Sequence, residues 1–498
     1  MITSGNMIGT QSQPHQAMAE SAPLRLRQRI LSAGGWAGTG FMLDKVIAVI
    51  QLMVLARLLT PVDFGIMAAS AVIILACVTI SELGLESALV AKTEVAREDL
   101  AVAWTIGIVR GVVMASCVWA TADVIGDAMQ MPQLAGVLRV HAWFLVLQGL
   151  NSPAMAILLK NLNLRRRASM DLVRRLIEAG VTIALALWLH NVWALLLGQL
   201  VGLVVGGMLS FWVAPFRPCL SLRVQPLIEF LRFGAYVNLT SLLAFGVLSG
   251  GEFVVGRMLG SDALGYYTLA LAFPIMIGIR APILMTQISM PVYSKLRLDL
   301  SGTVRAFGLH FGLLILVLFP FGAIMAVVAP DIVRVLGGEK WMAAAEPLRV
   351  LSIFSLCSGL SAAIGALQYG LGRPDVPLRV WIGQFLIYAT TIVPLTNWYG
   401  LIGAAWALSL SYLCGLGLYV FYTSRQLGVE AWSVFSPLAR TLFPLVSGLS
   451  LFLFVQEAGG NTVPAHWMLL TGTLSAVGMY LLYVWWVEYP RLLKLWQA

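Results

Sequence analysis

Three cations occur where apolar sequence should not tolerate them. Lys45, Arg110 and Arg280 each fall well inside a long hydrophobic run, and Asp44, Glu178 and Glu252 do the same with the opposite sign. A charged side chain at the centre of a membrane helix costs about 2.5–3.5 kcal/mol on insertion scales. Three cations with one or two acids would together cost on the order of 10–15 kcal/mol, comparable to the whole stability of a domain. Such a set persists where its members face a water-filled cavity or pair with one another. Asp44 and Lys45 are adjacent, so their side chains leave a helix about 100° apart, and the expectation is that they do not pair with each other. The surplus charge of the set is positive, and the chemistry it suits is the holding of an anion. Bond-breaking chemistry has no comparable signal. The sequence offers no nucleophile triad, Gly-rich phosphate loop or metal-ligand spacing, and Cys77, Cys117, Cys219, Cys357 and Cys414 are scattered without a CxxC pair.

The segments that carry these charges read as membrane helices. The chain is 59% hydrophobic and only 11% charged, against about 25% charged in a soluble domain. Fourteen apolar segments of spanning length follow one another: 34–56, 64–84, 100–121, 138–158, 172–190, 192–213, 232–256, 265–287, 305–329, 346–369, 378–396, 400–422, 438–456 and 466–487. In lipid only helices or closed barrels satisfy the backbone, so the expected fold is an all-α integral membrane protein. Residues 1–30 are polar and read as a cytoplasmic tail, 31–214 as a first lobe of six spans, 215–231 as a cytoplasmic linker, 232–424 as a second lobe, and 425–498 as two extra spans with a cytoplasmic C-terminus.

Sidedness follows from the loops. With the N-terminus inside, most of the 32 Lys and Arg residues fall in cytoplasmic segments, including Arg165, Arg166, Arg167, Arg174 and Arg175, whereas the external loops keep Arg334 and Lys340. That asymmetry places both termini in the cytoplasm. It also accounts for the net charge of +9 without nucleic acid as a partner. Arg57, Arg139, Arg257 and Arg349 lie near external span ends, where long side chains reach the headgroups.

A repeat organises the spans. "VLARLLTPVDFG" (54–65) returns as "VVGRMLGSDALG" (254–265), with Val, Arg, Leu and Gly at matching places. Each copy ends the first span of a six-span half and opens the second, so the halves share one orientation, a parallel repeat of the kind found in alternating-access transporters. In span seven Asn238, Ser241, Ser249, Glu252 and Gly256 form a polar stripe, and Gly246, Gly250 and Gly251 could let that helix bend. Arg280 stands between Pro274 and Pro282, which predicts another broken helix.

The stretch "ARLLTPVDFGIMAASAVIILACVTISELGLESALVAK" (56–92) closely resembles the opening of Wzx-type polysaccharide flippases of the multidrug/oligosaccharidyl-lipid/polysaccharide (MOP) exporter superfamily. "GRMLGSDALGYYTLALAFPIM" (256–276) and "MPVYSKLRLD" (290–299) match their pattern as well. The resemblance implies two six-helix lobes with spans thirteen and fourteen packed outside. It implies a task, moving undecaprenyl-diphosphate-linked oligosaccharide across the bacterial inner membrane for surface polysaccharide assembly, beside a polymerase and export machinery. Proton or sodium exchange is the implied drive, with no other cofactor. Lys45, Arg110 and Arg280 are then candidate contacts to the diphosphate or an acidic sugar, Arg57, Arg139 and Arg257 candidate contacts at the external mouth, and Asp44 and Glu252 candidate coupling carboxylates. The alternatives are a small-molecule antiporter of the same superfamily and a membrane-bound polymerase or glycosyltransferase. The cationic surplus speaks against the first, and the short loops speak against the second.

Overall fold

The computed structural model describes residues 38–81, 95–160, 164–221 and 224–428, with Leu89, Lys92 and Gly478. The expected tail 1–30 and, but for Gly478, spans thirteen and fourteen lie outside the described residues. Among the described residues every regular element is helical, and seven helices are long and apolar enough to cross a membrane. The molecule is a multi-pass membrane protein.

The first half comprises α1 (38–58), α2 (Pro61–Ile80), α3 (Arg97–Ala128), α4 (Pro132–His141), α5 (Trp143–Gly149), α6 (Met155–Lys160), α7 (Leu164–Leu189) and α8 (Val192–Val213). The turn between α1 and α2 is specified locally. Thr60 caps α2, its side chain accepting from the Asp63 amide while the Asp63 carboxylate accepts from the Thr60 amide, and Pro61 occupies the first helical turn, where its missing N–H costs nothing.

The fourth expected span, 138–158, is not one helix. It breaks at Ala142 and again over 150–154, where Asn151, Ser152 and Pro153 interrupt the hydrogen-bond ladder. The second break is satisfied from α8 and beyond: the Ser152 amide donates to Ser210 Oγ at 3.0 Å, and Ser152 Oγ donates to the Ala214 carbonyl at 2.9 Å. Irregular backbone at membrane depth survives where it is buried or lines a cavity, and this stretch does line one.

In the second half α9 (Val224–Ile275) leads through a π-helical turn (Met276–Arg280) into α10 (Ala281–Lys295). There follow α11 (Leu300–Val327), a short α12 (Ala329–Gly337), a 3-10 turn (Glu339–Ala344), α13 (Ala345–Gly370) and α14 (Asp375–Leu427). The 53 residues of α14 would reach about 80 Å if straight, well over twice the roughly 30 Å hydrocarbon layer. It folds back at Gly400, whose φ of 59° suits glycine, and the two arms touch where Gly403 meets the Leu395 carbonyl. α9 folds back the same way at Gly260, φ 87°. Gly246, Gly250 and Gly251, expected as bending points, stay helical. They make room instead: Cβ atoms on Gly246 and Gly251 would lie 2.7 Å from the Phe385 ring and 2.3 Å from the Tyr388 hydroxyl. The predicted break at Arg280 takes the form of the π turn between Pro274 and Pro282, with Gly278 lying against Ser355 and Ser358 of α13.

The two copies of the repeat meet. A Cβ on Gly65 would lie 1.8 Å from the Ser261 carbonyl oxygen, and one on Gly265 2.0 Å from that of Pro61. Residues 61 and 261, like 65 and 265, are equivalent in the repeat, so the contact is reciprocal, as a local two-fold relation requires. Helix backbones approach this closely only across small residues.

Candidate functional site

The walls of a large cavity are set by glycine packing in the first half. On α8, Gly198, Gly202 and Gly206 recur every fourth residue and line one face. Cβ atoms there would lie 2.0 Å from Thr182 Oγ1, 2.8 Å from Glu178 Cβ and 2.6 Å from Arg174 Cδ. The glycine row thus seats a polar row of α7, and the rest of that α7 face turns into the cavity. α1 and α3 supply the facing walls, with the broken 150–154 stretch and the π turn of the second half completing the lining.

The cavity has a volume of about 780 Å³ and holds Lys45, Arg110 and Arg280 together, with Asp44 and Glu178 beside them. Its lining also includes Arg167, Asp171, Arg174 and Arg175. Six cations face three acids, so the space is net positive even after every internal pairing. A chain of ion pairs crosses from α1 to α7. Lys45 Nζ donates to Asp44 Oδ2 at 2.7 Å, Arg175 Nε stands 3.6 Å from Asp44 Oδ1, and Arg175 and Arg174 each donate to Glu178, at 2.9 and 2.8 Å. The Asp44–Lys45 pair corrects the expectation drawn from their helical angle, because the four-carbon lysine stem is flexible enough to fold back across 100° of helix. Arg110 donates to the Ser81 carbonyl at 3.4 Å. Arg280 is exposed to the cavity and has no ion-pair or hydrogen-bond partner among the described residues.

In the sequence Arg167, Arg174 and Arg175 belong to the positive segment that fixes sidedness, and Asp171 carries no expectation. The structure places them on α7, which begins at Leu164 rather than near 172. Their spacing with Glu178, at 167, 171, 174, 175 and 178, is that of one helical face, and this was the available signal. Gln148 and Gln199 were missed as well. Both line the cavity, and each keeps a buried amide oxygen without a hydrogen-bond partner among the described residues.

Glu252 lies apart from this cavity. Its neighbour Gly251 packs against the hydroxyls of Tyr267 and Tyr388, which are buried and lack hydrogen-bond partners among the described residues.

The arginines expected at the external mouth have separate fates. Arg57 donates to the Val335 carbonyl at 2.9 Å. Arg139 pairs with Asp123 at 2.5 Å and stands over the Trp119 ring. Arg257 is exposed, without a partner among the described residues. Arg349 is held by Glu346 and the Ala326 carbonyl.

The end that carries the repeat turns is closed. Trp341 is fully buried, with its ring edge-on to Phe64 and Tyr266 at 5.0 and 5.9 Å and its indole N–H donating to the Ala56 carbonyl at 2.7 Å. Lys340 donates to the carbonyls of Leu59 and Arg57 at 2.6 and 3.1 Å. Asp44 and Lys45 lie twelve residues back along α1, about 18 Å from this seal, so the cavity sits well away from the closed end.

Comparison with known proteins places this arrangement. A family model described as polysaccharide biosynthesis protein matches residues 54–346. The lipopolysaccharide biosynthesis protein WzxC of Escherichia coli (strain K12) is 23% identical over 74% of this chain and 76% of its own length. The succinoglycan biosynthesis transport protein ExoT of Rhizobium meliloti (strain 1021) is 23% identical over 86% of this chain and 87% of its own. Among solved structures, the lipid II flippase MurJ in an inward closed conformation has a TM-score of 0.73 at 12% identity, covering 91% of this chain and 99% of that one. An inward-facing MATE-family multidrug transporter of the MOP superfamily has a TM-score of 0.56 at 16% identity, over 78% and 94%. At these identities the structural likeness is one of fold.

Proposed function

The chain belongs to the family of polysaccharide biosynthesis proteins, and from that premise we propose that it is a flippase for lipid-linked oligosaccharide repeat units rather than an enzyme. It carries an undecaprenyl-diphosphate-linked unit from the cytoplasmic to the periplasmic leaflet of a bacterial inner membrane and hands it to polymerase and export machinery. The observation that carries this reading is the net-positive cavity lined by the first half and by Arg280 of the second, which has no partner among the described residues. A diphosphate is a compact dianion, and arginine forks fit its oxygens two at a time. WzxC and ExoT support the cargo class by what they are named for, and a MurJ-like fold supports the movement.

The working cycle is alternating access between two parallel six-span lobes, 31–214 and 232–424, joined by 215–231 and followed by two further spans, fourteen in all, with both termini cytoplasmic. In this frame the repeat turns are periplasmic, the structure is closed there, and the cavity serves the cytoplasmic side. Diphosphate enters against Arg280, Arg110 and Lys45, and the Asp44 carboxylate is the internal anion it competes with. The surplus positive charge suits a glycan that carries an acidic sugar. Glu252, beside the buried hydroxyls of Tyr267 and Tyr388, is the candidate carboxylate for proton or sodium coupling. Arg57 and Arg257 stand at the exit.

The test follows repeat units in cells lacking the protein. Completed units held on the cytoplasmic leaflet, with no polymer outside, are the expected result. Arg280→Gln should reproduce that block, cutting export at least about tenfold, since a hydrogen bond to a charged group is worth about 1.5–3 kcal/mol. Arg280→Lys should retain part of it. Units that reach the outer leaflet without polymerising would point to an enzyme, and an unchanged carrier pool would sink the cargo assignment.

A further inference from the structure

Each repeat turn is covered by a segment from the opposite half. Gly256, at the end of the first arm of α9, is covered by the α3–α4 connection: a Cβ there would lie 2.8 Å from the Met129 methyl and 3.5 Å from that of Met131. Its equivalent, Ala56, is covered by the α12–α13 connection through Trp341. The two covers differ in kind. Methionine is unbranched and adapts its shape, so the Met129–Met131 side can slide. The Trp341 side is directional. Its indole N–H is committed to the Ala56 carbonyl, Lys340 holds two more carbonyls at the end of α1, and Arg57 answers by holding Val335. Directly beneath lies the crossing of Gly65 and Gly265.

We propose that Trp341 and Lys340 form the latch of the periplasmic gate, and that the methionine-covered turn is the side on which the gate pivots. The inference rests on the alternating-access reading and its sidedness, but not on the identity of the cargo. To open outward, the Glu339–Ala344 turn must withdraw the indole from between Phe64 and Tyr266 and release the three α1 carbonyls. The halves then part at the glycine crossing, and α2 swings on the Met129–Met131 side, where no polar contact between the described residues has to break. A latch of this kind sets how often the empty protein opens to the outside and prevents a leak between turnovers.

The experiment reads opening directly. Ala69 lies one helical turn below Gly65 on the same face of α2 and is buried. In the full chain, with the five native cysteines replaced, Ala69→Cys is labelled by a membrane-impermeant maleimide added from the periplasmic side. Trp341→Ala should raise the labelling rate about tenfold, equivalent to about 1.4 kcal/mol in the gate equilibrium. Trp341→Phe, which keeps a ring but loses the N–H, should raise it less, and Met129→Ala should leave it nearly unchanged. If Trp341→Ala fails to accumulate, Trp341→Phe combined with Lys340→Met carries the test. Labelling no faster in the Trp341 and Lys340 variants, or an equal rise with Met129→Ala, would overturn the latch. Glu339→Cys, at an exposed position, must be labelled in every background; if it is not, the sidedness falls and the periplasmic latch with it. Faster labelling with polysaccharide export unaffected would support the latch while telling against the cargo.

Discussion

The turn at 54–65 and its copy at 254–265 began from one motif and now sit in different surroundings. Both end a helix, both place a glycine at a reciprocal backbone crossing, and both carry an arginine at the same register. The first is capped by Thr60 and Asp63 and roofed by hydrogen bonds from Trp341 and Lys340. The second makes its turn with Gly260 at positive φ and is roofed by two methionine side chains. Duplication explains what they share, because a two-fold crossing needs the same small residue on both strands. What differs is where the seam is fixed by direction and where it is only filled. A joint that must open and close at one end needs one strong side and one compliant side, and the polar contacts concentrate on the first copy.

The crossing itself is the most sensitive element. At Gly65 and Gly265 the obstruction is backbone carbonyl at 1.8 and 2.0 Å, which cannot step aside as a flexible side chain can. Gly65→Val and Gly265→Val should each destabilise the protein by about 3 kcal/mol, at or above the upper end of ordinary overpacking. Thermal unfolding in detergent is the measurement. Equal losses would establish the crossing as symmetric, whereas a much smaller loss at one glycine would break the equivalence drawn here.

The paired arginines test the asymmetry. Arg57 reaches the Val335 carbonyl, whereas Arg257 is exposed with no partner among the described residues. Arg57→Ala should therefore cost about 1 kcal/mol, the net worth of one such hydrogen bond. Arg257→Ala should fall within about 0.5 kcal/mol of the unchanged protein, as a surface substitution does. The same unfolding measurement compares them, and equal costs would mean that the first turn is not held more firmly than the second.

Much of this was legible in the sequence. The deep cations could be found because charge inside an apolar run is rare, and Lys45, Arg110 and Arg280 do line one cavity. The repeat could be found because equal contacts keep equal residues, and the prolines around Arg280 announced a disturbed helix. Other features were hidden for identifiable reasons. Arg167, Arg174 and Arg175 satisfy a loop-charge rule and a helical-face pattern at once, and the first concealed the second. The Asp44–Lys45 pair depends on a rotamer, which helical angle does not fix. Span four looked continuous because its apolar content is; only the Ser152 contacts with Ser210 and Ala214 show how a break there is satisfied. Trp341 gave no signal at all, since nothing local says that its N–H reaches a carbonyl 285 residues away.

The smallest change is the most discriminating. Gly256→Ala makes the second turn match Ala56 of the first, and the new Cβ would fall 2.8 Å from the Met129 methyl and 3.0 Å from a Leu264 methyl. Both obstacles are the free ends of side chains, and a methionine end can turn away at little cost. Against that, replacing glycine by alanine inside a helix gains about 0.5–1 kcal/mol of conformational entropy. The two effects nearly cancel, so the melting temperature should stay within about 2 °C, the shift that roughly 0.5 kcal/mol gives in a larger protein. Gly65→Ala, with a backbone carbonyl in the way, should lose stability clearly in the same assay. If Gly256→Ala also proved clearly destabilising, the methionine cover would be as rigid as the tryptophan one, and a pivot on that side would lose its physical basis.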